Sequence, residues 1–137
     1  MANAGHELIE HTADVGVRVW ASSLDGLFAE AAIGLMDVMV APTGVPDREE
    51  RIALDAPDRD ALFVDWLSEV LFLFDARGFV TQSVTAKLTS EPWKVDATLS
   101  GGGAFEQHGP AVKAVTYHGL DIRRTGDGYE ATVYLDV

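Results

Sequence analysis

At 137 residues, with 22 acidic and 10 basic residues and a net charge of −12, the chain has the length of one domain (residues 1–137) with its own core and no need of staples. Such a surface repels nucleic-acid phosphates, whose binding rests on Lys and Arg, so naked RNA or DNA is not expected as a direct ligand; it suits cations and basic proteins, or serves only to keep the protein soluble. With no Cys, disulfides, thiolate zinc sites and thiol catalysis are excluded, and a cytoplasmic protein is expected.

Met1 to Glu10 carries no basic start and no apolar run, so no signal peptide is expected, and no apolar stretch reaches membrane-spanning length. Val15, Val17, Val19 and Ala21 alternate with Gly16, Arg18 and Trp20, a period of two that predicts a strand with one buried face. Ser22 and Ser23 are candidate helix N-caps. Leu24, Leu27, Phe28, Ala31, Leu35 and Val38 follow at helical spacing, which places a first helix over residues 24–40, ended by Pro42, Gly44 and Pro46. Arg51 to Ala56 reads as a short strand with Ile52 and Leu54 inward. Asp58 is a good N-cap for a second helix, and Gly78 its C-terminal cap. The apolar stripe of that helix includes Phe63, Trp66 and Phe74, read as core and not as a ligand box.

Val80, Gln82, Val84, Ala86 and Leu88 alternate, as do Trp93, Val95, Ala97 and Leu99, and the turn at Ser90-Glu91-Pro92 makes the two runs a hairpin. Gly101-Gly102-Gly103 opens a flexible loop running to about Pro110; no Lys-Ser/Thr and no helix follow it, so it is not read as a phosphate cradle. Ala111 to His118 and Leu120 to Arg124 read as strand. Gly126-Asp127-Gly128 is a tight turn, and a final strand over Tyr129 to Val137 has Tyr129, Ala131, Val133 and Leu135 on one face. The order strand, helix, strand, helix, then strands predicts an α+β fold: two helices covering one face of a mixed, largely antiparallel sheet.

Chemically capable residues concentrate in two segments, His11 to Gly16 and Lys113 to His118, and at the chain end, Asp136-Val137. Asp14, at the mouth of the first strand, could form an Asx turn or serve as a ligand. Asp136 alternates with Leu135 and so faces away from the buried row, with the carboxylate of Val137 one residue on. Carboxylates this close repel unless a cation lies between them. If Asp14 joins them, the set is hard oxygen only, which favours Ca²⁺ or Mg²⁺ over Zn²⁺. A frayed, solvated chain end is the alternative. Lys113 could guard a strand edge, balance the carboxylates or donate to a phosphate. His11 and His118 could act as acid-base groups or as structural hydrogen-bonding residues; His6 and His108 read as mobile surface residues. No Ser-His-Asp order, HExxH, GxGxxG or P-loop is present.

The segments "HTADVG", "SLDGLFAEAAIGLMDVM", "DALFVDWLSEVLFLFD", "VKAVTYHGL" and the terminal "YLDV", in that order from about Glu7 to Val137, resemble the archease family. The resemblance implies a compact α+β domain. It also implies an accessory protein, not a self-standing enzyme: archeases assist RtcB-type tRNA-splicing RNA ligases, which join RNA ends through a guanylylated histidine, by promoting guanylylation and multiple turnover. It implies a metal site on Asp14, Asp136 and Val137, with Ca²⁺ the expected ion and Mg²⁺ or Mn²⁺ the alternatives. Lys113 takes the place of the family's functional lysine, and His118 falls in the same motif, as a second residue expected to act on the partner. Two other classes stay open beside it. One is a general chaperone or assembly factor for RNA-modifying enzymes such as methyltransferases. The other is a small metal-dependent hydrolase using the same carboxylates with His118 as base.

Overall fold

The structure, a computed structural model, describes residues 4–10 and 14–137. Eleven elements follow in order: β1 (Gly5–Glu10), β2 (Asp14–Ala21), α1 (Leu24–Met39), β3 (Val40–Pro42), β4 (Arg48–Ala56), α2 (Arg59–Arg77), β5 (Val80–Ser90), β6 (Trp93–Gly102), β7 (Phe105–Gln107), β8 (Ala114–Arg124) and β9 (Tyr129–Asp136). The fold is α+β, with two helices on antiparallel strands. The strands form three sheets where one was expected: β1-β2-β9-β8, β4-β6-β5 and the short pair β3-β7. Every pairing is antiparallel, so no mixed sheet forms among the described residues.

Local chemistry sets the helix ends. The Ser23 hydroxyl accepts from the Gly26 N–H at 3.0 Å, and the Asp58 carboxylate from the Ala61 N–H at 2.8 Å. Each satisfies a first-turn donor that has no partner inside its helix. α2 ends at Gly78, in the left-handed conformation. Each helix packs against both larger sheets, α1 on β2 and β5, α2 on β4 and β8. That is why both are buried over more than one stripe: Phe28, Ala32 and Leu35 of α1 and Phe63, Trp66 and Leu67 of α2 are all closed to solvent. Phe28 meets Phe63 edge to face with ring centres 5.1 Å apart, and the Trp66 indole donates to the Phe28 carbonyl at 2.8 Å. One contiguous core results, sealed from the sheet side by Val17, Val19, Val133 and Leu135.

Four expectations need correction. β1 was not foreseen, and His6 within it is not a mobile surface residue. Its Nδ1 lies 2.5 Å from Glu30 and its Nε2 2.6 Å from Asp37, both on α1. The triglycine is not the start of a loop: Gly101 and Gly102 finish β6, and both are buried. A Cβ on Gly101 would stand 2.1 Å from the Val80 carbonyl oxygen, so glycine is required there by the approach of β5. The loop that follows contains β7, paired to β3. Finally, the alternation of β5 breaks at Gln82. The register with β6 jumps between Thr81 and Ser83, which turns Thr81 inward and frees Gln82 to donate to the Gly44 carbonyl at 3.0 Å.

Candidate functional site

Asp14 opens β2 and Asp136 closes β9. These strands pair antiparallel with Asp14 directly opposite Asp136 and Val15 opposite Leu135. Leu135 is fully buried, so strand alternation sends Asp136 to the outer face, and its register partner Asp14 with it. Directly opposed residues in such a pair have Cα atoms about 4.5–5.5 Å apart. Two residues separated by more than a hundred positions in sequence are thereby made neighbours at one end of the four-stranded sheet.

The end of β9 is held from both sides. Asp136 is also the register partner of Ala114 on β8, and the Lys113 backbone N–H donates to the Asp136 carbonyl at 2.7 Å. The Val137 side chain packs partly buried against the core. This anchoring speaks against the frayed chain end considered above. The structure thus brings Asp14, Asp136, Val137 and Lys113 to one tip. His118 is set apart. It is exposed, in the stretch of β8 between Thr116 and Asp121 where the register with β9 lapses. Four residues from Ala114, it lies roughly 13 Å along the strand from the level of the carboxylates. Gly119, at φ +71, makes that irregularity possible, in a conformation costly for a side chain with a Cβ. His11 lies outside the described residues.

Electrostatically the tip is unbalanced. Among the described residues neither Asp14 nor Asp136 forms an ion pair, while the nearest guanidinium on the same face, Arg18, is already committed to Glu7 and Glu130 and stacks over Trp20. Like charges placed opposite one another are destabilising without a counter-charge. Lys113 is the neighbouring cation, exposed at the edge of the sheet. The donors are carboxylate oxygens only, which fits a hard divalent ion. Among the described residues no group of three His, Cys, Asp or Glu side chains is placed to hold a metal, so two side-chain carboxylates are the most the tip offers from that set. Sequence reasoning overlooked Tyr134, the register partner of Gly16 and the next outward residue after Asp136 on β9. Its ring lies over Gly16 and Gly119, where added Cβ atoms would approach it to 3.0 and 2.9 Å. The period of two in the last strand carries that signal, since Tyr134 and Asp136 share a face.

The family model of the archease protein family matches residues 6–137. The chain belongs to the archease family. It is 32% identical over 139 residues to an archease of Methanosarcina acetivorans, covering 96% of this chain and 95% of that one. It is 38% identical over 128 residues to an archease of Thermococcus gammatolerans, covering 89% and 90%. Among solved structures it is similar to protein 1598 of Methanobacterium thermoautotrophicum, with a TM-score of 0.83, 28% identity and coverage of 97% and 99%. A Thermotoga maritima archease, described as a possible chaperone, shares the fold with a TM-score of 0.65, 22% identity and coverage of 99% and 100%. No helix of the described residues is long and apolar enough to cross a membrane.

Proposed function

We propose that this archease is a cytoplasmic accessory activator of an RtcB-type RNA ligase, promoting guanylylation and multiple turnover of the ligase in tRNA splicing or RNA repair. Membership in the archease family supports the coarser part of this reading: the chain is an accessory protein and not an enzyme. The observation that carries the finer part is the opposition of Asp14 and Asp136 at the sheet end, beside Lys113. Two carboxylates that form no ion pair among the described residues, and have no use in the core, invite a cation from outside the chain.

In this reading Asp14, Asp136 and the main-chain carboxylate of Val137 hold the ion. Ca²⁺ is the first choice, and Mg²⁺ or Mn²⁺ the alternatives, because the donors are hard oxygens. Bound there, the ion would turn an acidic tip into one able to approach anionic groups in a nucleotide-binding active site. The chain's own residues do the rest. The Lys113 N–H fixes the end of β9, leaving the Lys113 ammonium exposed to meet the partner. His118 is placed to touch the partner farther along β8. The charge of −12 leaves RNA binding to the ligase.

The test is transfer of radiolabelled GMP to the ligase histidine, with and without this protein. Wild type should stimulate it, and Asp14→Asn should not, while retaining the wild-type circular dichroism spectrum. Equal stimulation by both would remove the tip from the mechanism. A second reading, an assembly factor or chaperone for RNA-modifying enzymes, is favoured by the half-exposed Phe72 and Tyr117 and by the description of the Thermotoga relative. It predicts suppression of client aggregation that is indifferent to Asp14.

A further inference from the structure

We infer that the channel between the exposed face of α2 and strand β8 is a docking groove for an extended segment of a partner protein, one with basic residues interleaved with apolar ones. The inference takes from the preceding reading only that the chain serves a protein partner.

The helix supplies one wall. Asp65, Ser68, Phe72 and Asp75 recur at three- and four-residue steps, which makes a single stripe, and all four are exposed. β8 supplies the other. It is the edge strand of its sheet, and it runs antiparallel to the helix: Lys113 and Val115 lie by Ser68 and Asp75, whereas Tyr117 lies by Asp58 and Asp60. Two separate concavities lie along this seam, one of about 270 Å³ lined by Phe72 and Lys113 and one of about 600 Å³ lined by Arg59 and Tyr117. From Ala61 to Asp75 the helix is roughly 21 Å long, which an extended chain spans in about six residues.

The lining sets the occupant. Phe72 is 50% and Tyr117 57% exposed, two of the largest apolar side chains left open on the surface. Rings of that size in water are expensive to leave uncovered, and aromatic side chains of this kind anchor interfaces. Between and beside them stand Asp65 and Asp75, neither of which forms an ion pair or hydrogen bond among the described residues. The Tyr117 hydroxyl titrates above its ordinary range, from partial desolvation and then from the field of Asp65, Asp58 and Asp60. Apolar rings flanked by uncompensated carboxylates complement apolar residues flanked by Lys or Arg. Lys113 at one end and Arg59, paired with Asp60 at 3.6 Å, at the other offset part of the negative charge, so the basic residues of the segment should lie by Asp65 and Asp75. The groove begins where the carboxylate tip ends, so one partner could engage both.

A titration followed by ¹H–¹⁵N NMR tests this, using a peptide of four Lys-Thr-Leu repeats and a control of four Lys-Thr-Ser repeats. The Leu peptide should shift amides of residues 61–75 and 113–118 selectively and bind at least tenfold more tightly than the control. Phe72→Ser and the pair Asp65→Asn/Asp75→Asn should each weaken it at least tenfold while the remaining spectrum stays that of the folded protein. The inference is overturned by equal binding of both peptides with shifts spread over the acidic surface, or by no groove shifts at millimolar peptide. It is also overturned if sedimentation shows a dimer of this chain that Phe72→Ser dissociates. None of these readouts involves the ligase, so failure here leaves the activator reading intact.

Discussion

Replacing Asp136 with Asn should stabilise the metal-free protein, an unusual direction for a substitution at a candidate functional site. Asp14 and Asp136 are direct register partners on one face, without an ion pair among the described residues. At roughly 5 Å, two unit charges in water repel by about 0.8 kcal/mol, in line with the 0.2–1 kcal/mol range for cross-strand pairs. Asn keeps the shape and removes one charge, so the gain is about 0.5–0.8 kcal/mol, trimmed by the lost attraction to Lys113. For 137 residues the unfolding entropy near 60 °C is about 0.29 kcal/mol/K. The variant should therefore melt about 2–3 °C above wild type in EDTA and low salt. Adding Ca²⁺ should invert the order. At a hundredfold excess over Kd, binding stabilises wild type by about 2.7 kcal/mol, or about 9 °C, and the variant hardly at all. Scanning calorimetry of both proteins with and without Ca²⁺ reads all four states. A variant that melts below wild type in EDTA, together with a wild type that ignores Ca²⁺, Mg²⁺ and Mn²⁺, would refute the reasoning.

Other expectations follow from individual contacts. Asp58→Ala removes the cap on the Ala61 N–H and should cost about 1 kcal/mol, seen as a fall of about 3–4 °C in Tm. Gly101→Ala drives a methyl into the Val80 carbonyl and should destabilise by about 1–3 kcal/mol or more, whereas Gly103→Ala, with nothing nearer than 3.6 Å, should be close to neutral by urea titration. The His6 imidazolium between Glu30 and Asp37 gives a pH signature. Desolvation works against its protonation, but its hydrogen bonds to the two carboxylates and their charges outweigh it, so its pKa lies above the ordinary 6.5. A raised folded-state pKa means that the clamp contributes fully below pH 6.5 and is lost as pH rises through the folded value. His6→Ala should therefore destabilise more at pH 5.5 than at pH 8.5, and an equal loss at both would show that His6 is neutral in its clamp.

What could be read from the sequence was local. The caps at Ser23, Asp58 and Gly78 and the stripes of both helices follow from side-chain chemistry within four residues, and the structure keeps them. The strand alternation around Val17 and Val133 gave the right inward faces because one face is buried. What escaped depends on partners distant in sequence. β1 places a His in its inward row, which spoils the apolar alternation, and its compensation lies 24 and 31 residues away on α1. Glu30 and Asp37, one heptad apart and the only charged residues of α1 beyond Asp25 in its first turn, were the available clue. The role of Gly101 needs the carbonyl of Val80, and the bulge at Gln82 needs β6. The division into three sheets is likewise a matter of pairing and not of propensity. At the site, alternation indicated that Asp136 faces outward, but only the β2–β9 register sets Asp14 opposite it. The same register logic separates His118 from the tip, a distance that the short motif from Lys113 to His118 conceals.

The most direct test of the central claim is multiple-turnover RNA ligation by the cognate RtcB-type ligase, with the ligase limiting, in the presence of wild type or of Asp136→Asn. The account predicts continued product formation beyond one equivalent of ligase with wild type, and arrest near one equivalent with the variant. Sustained turnover with the variant, or arrest with wild type, would contradict it.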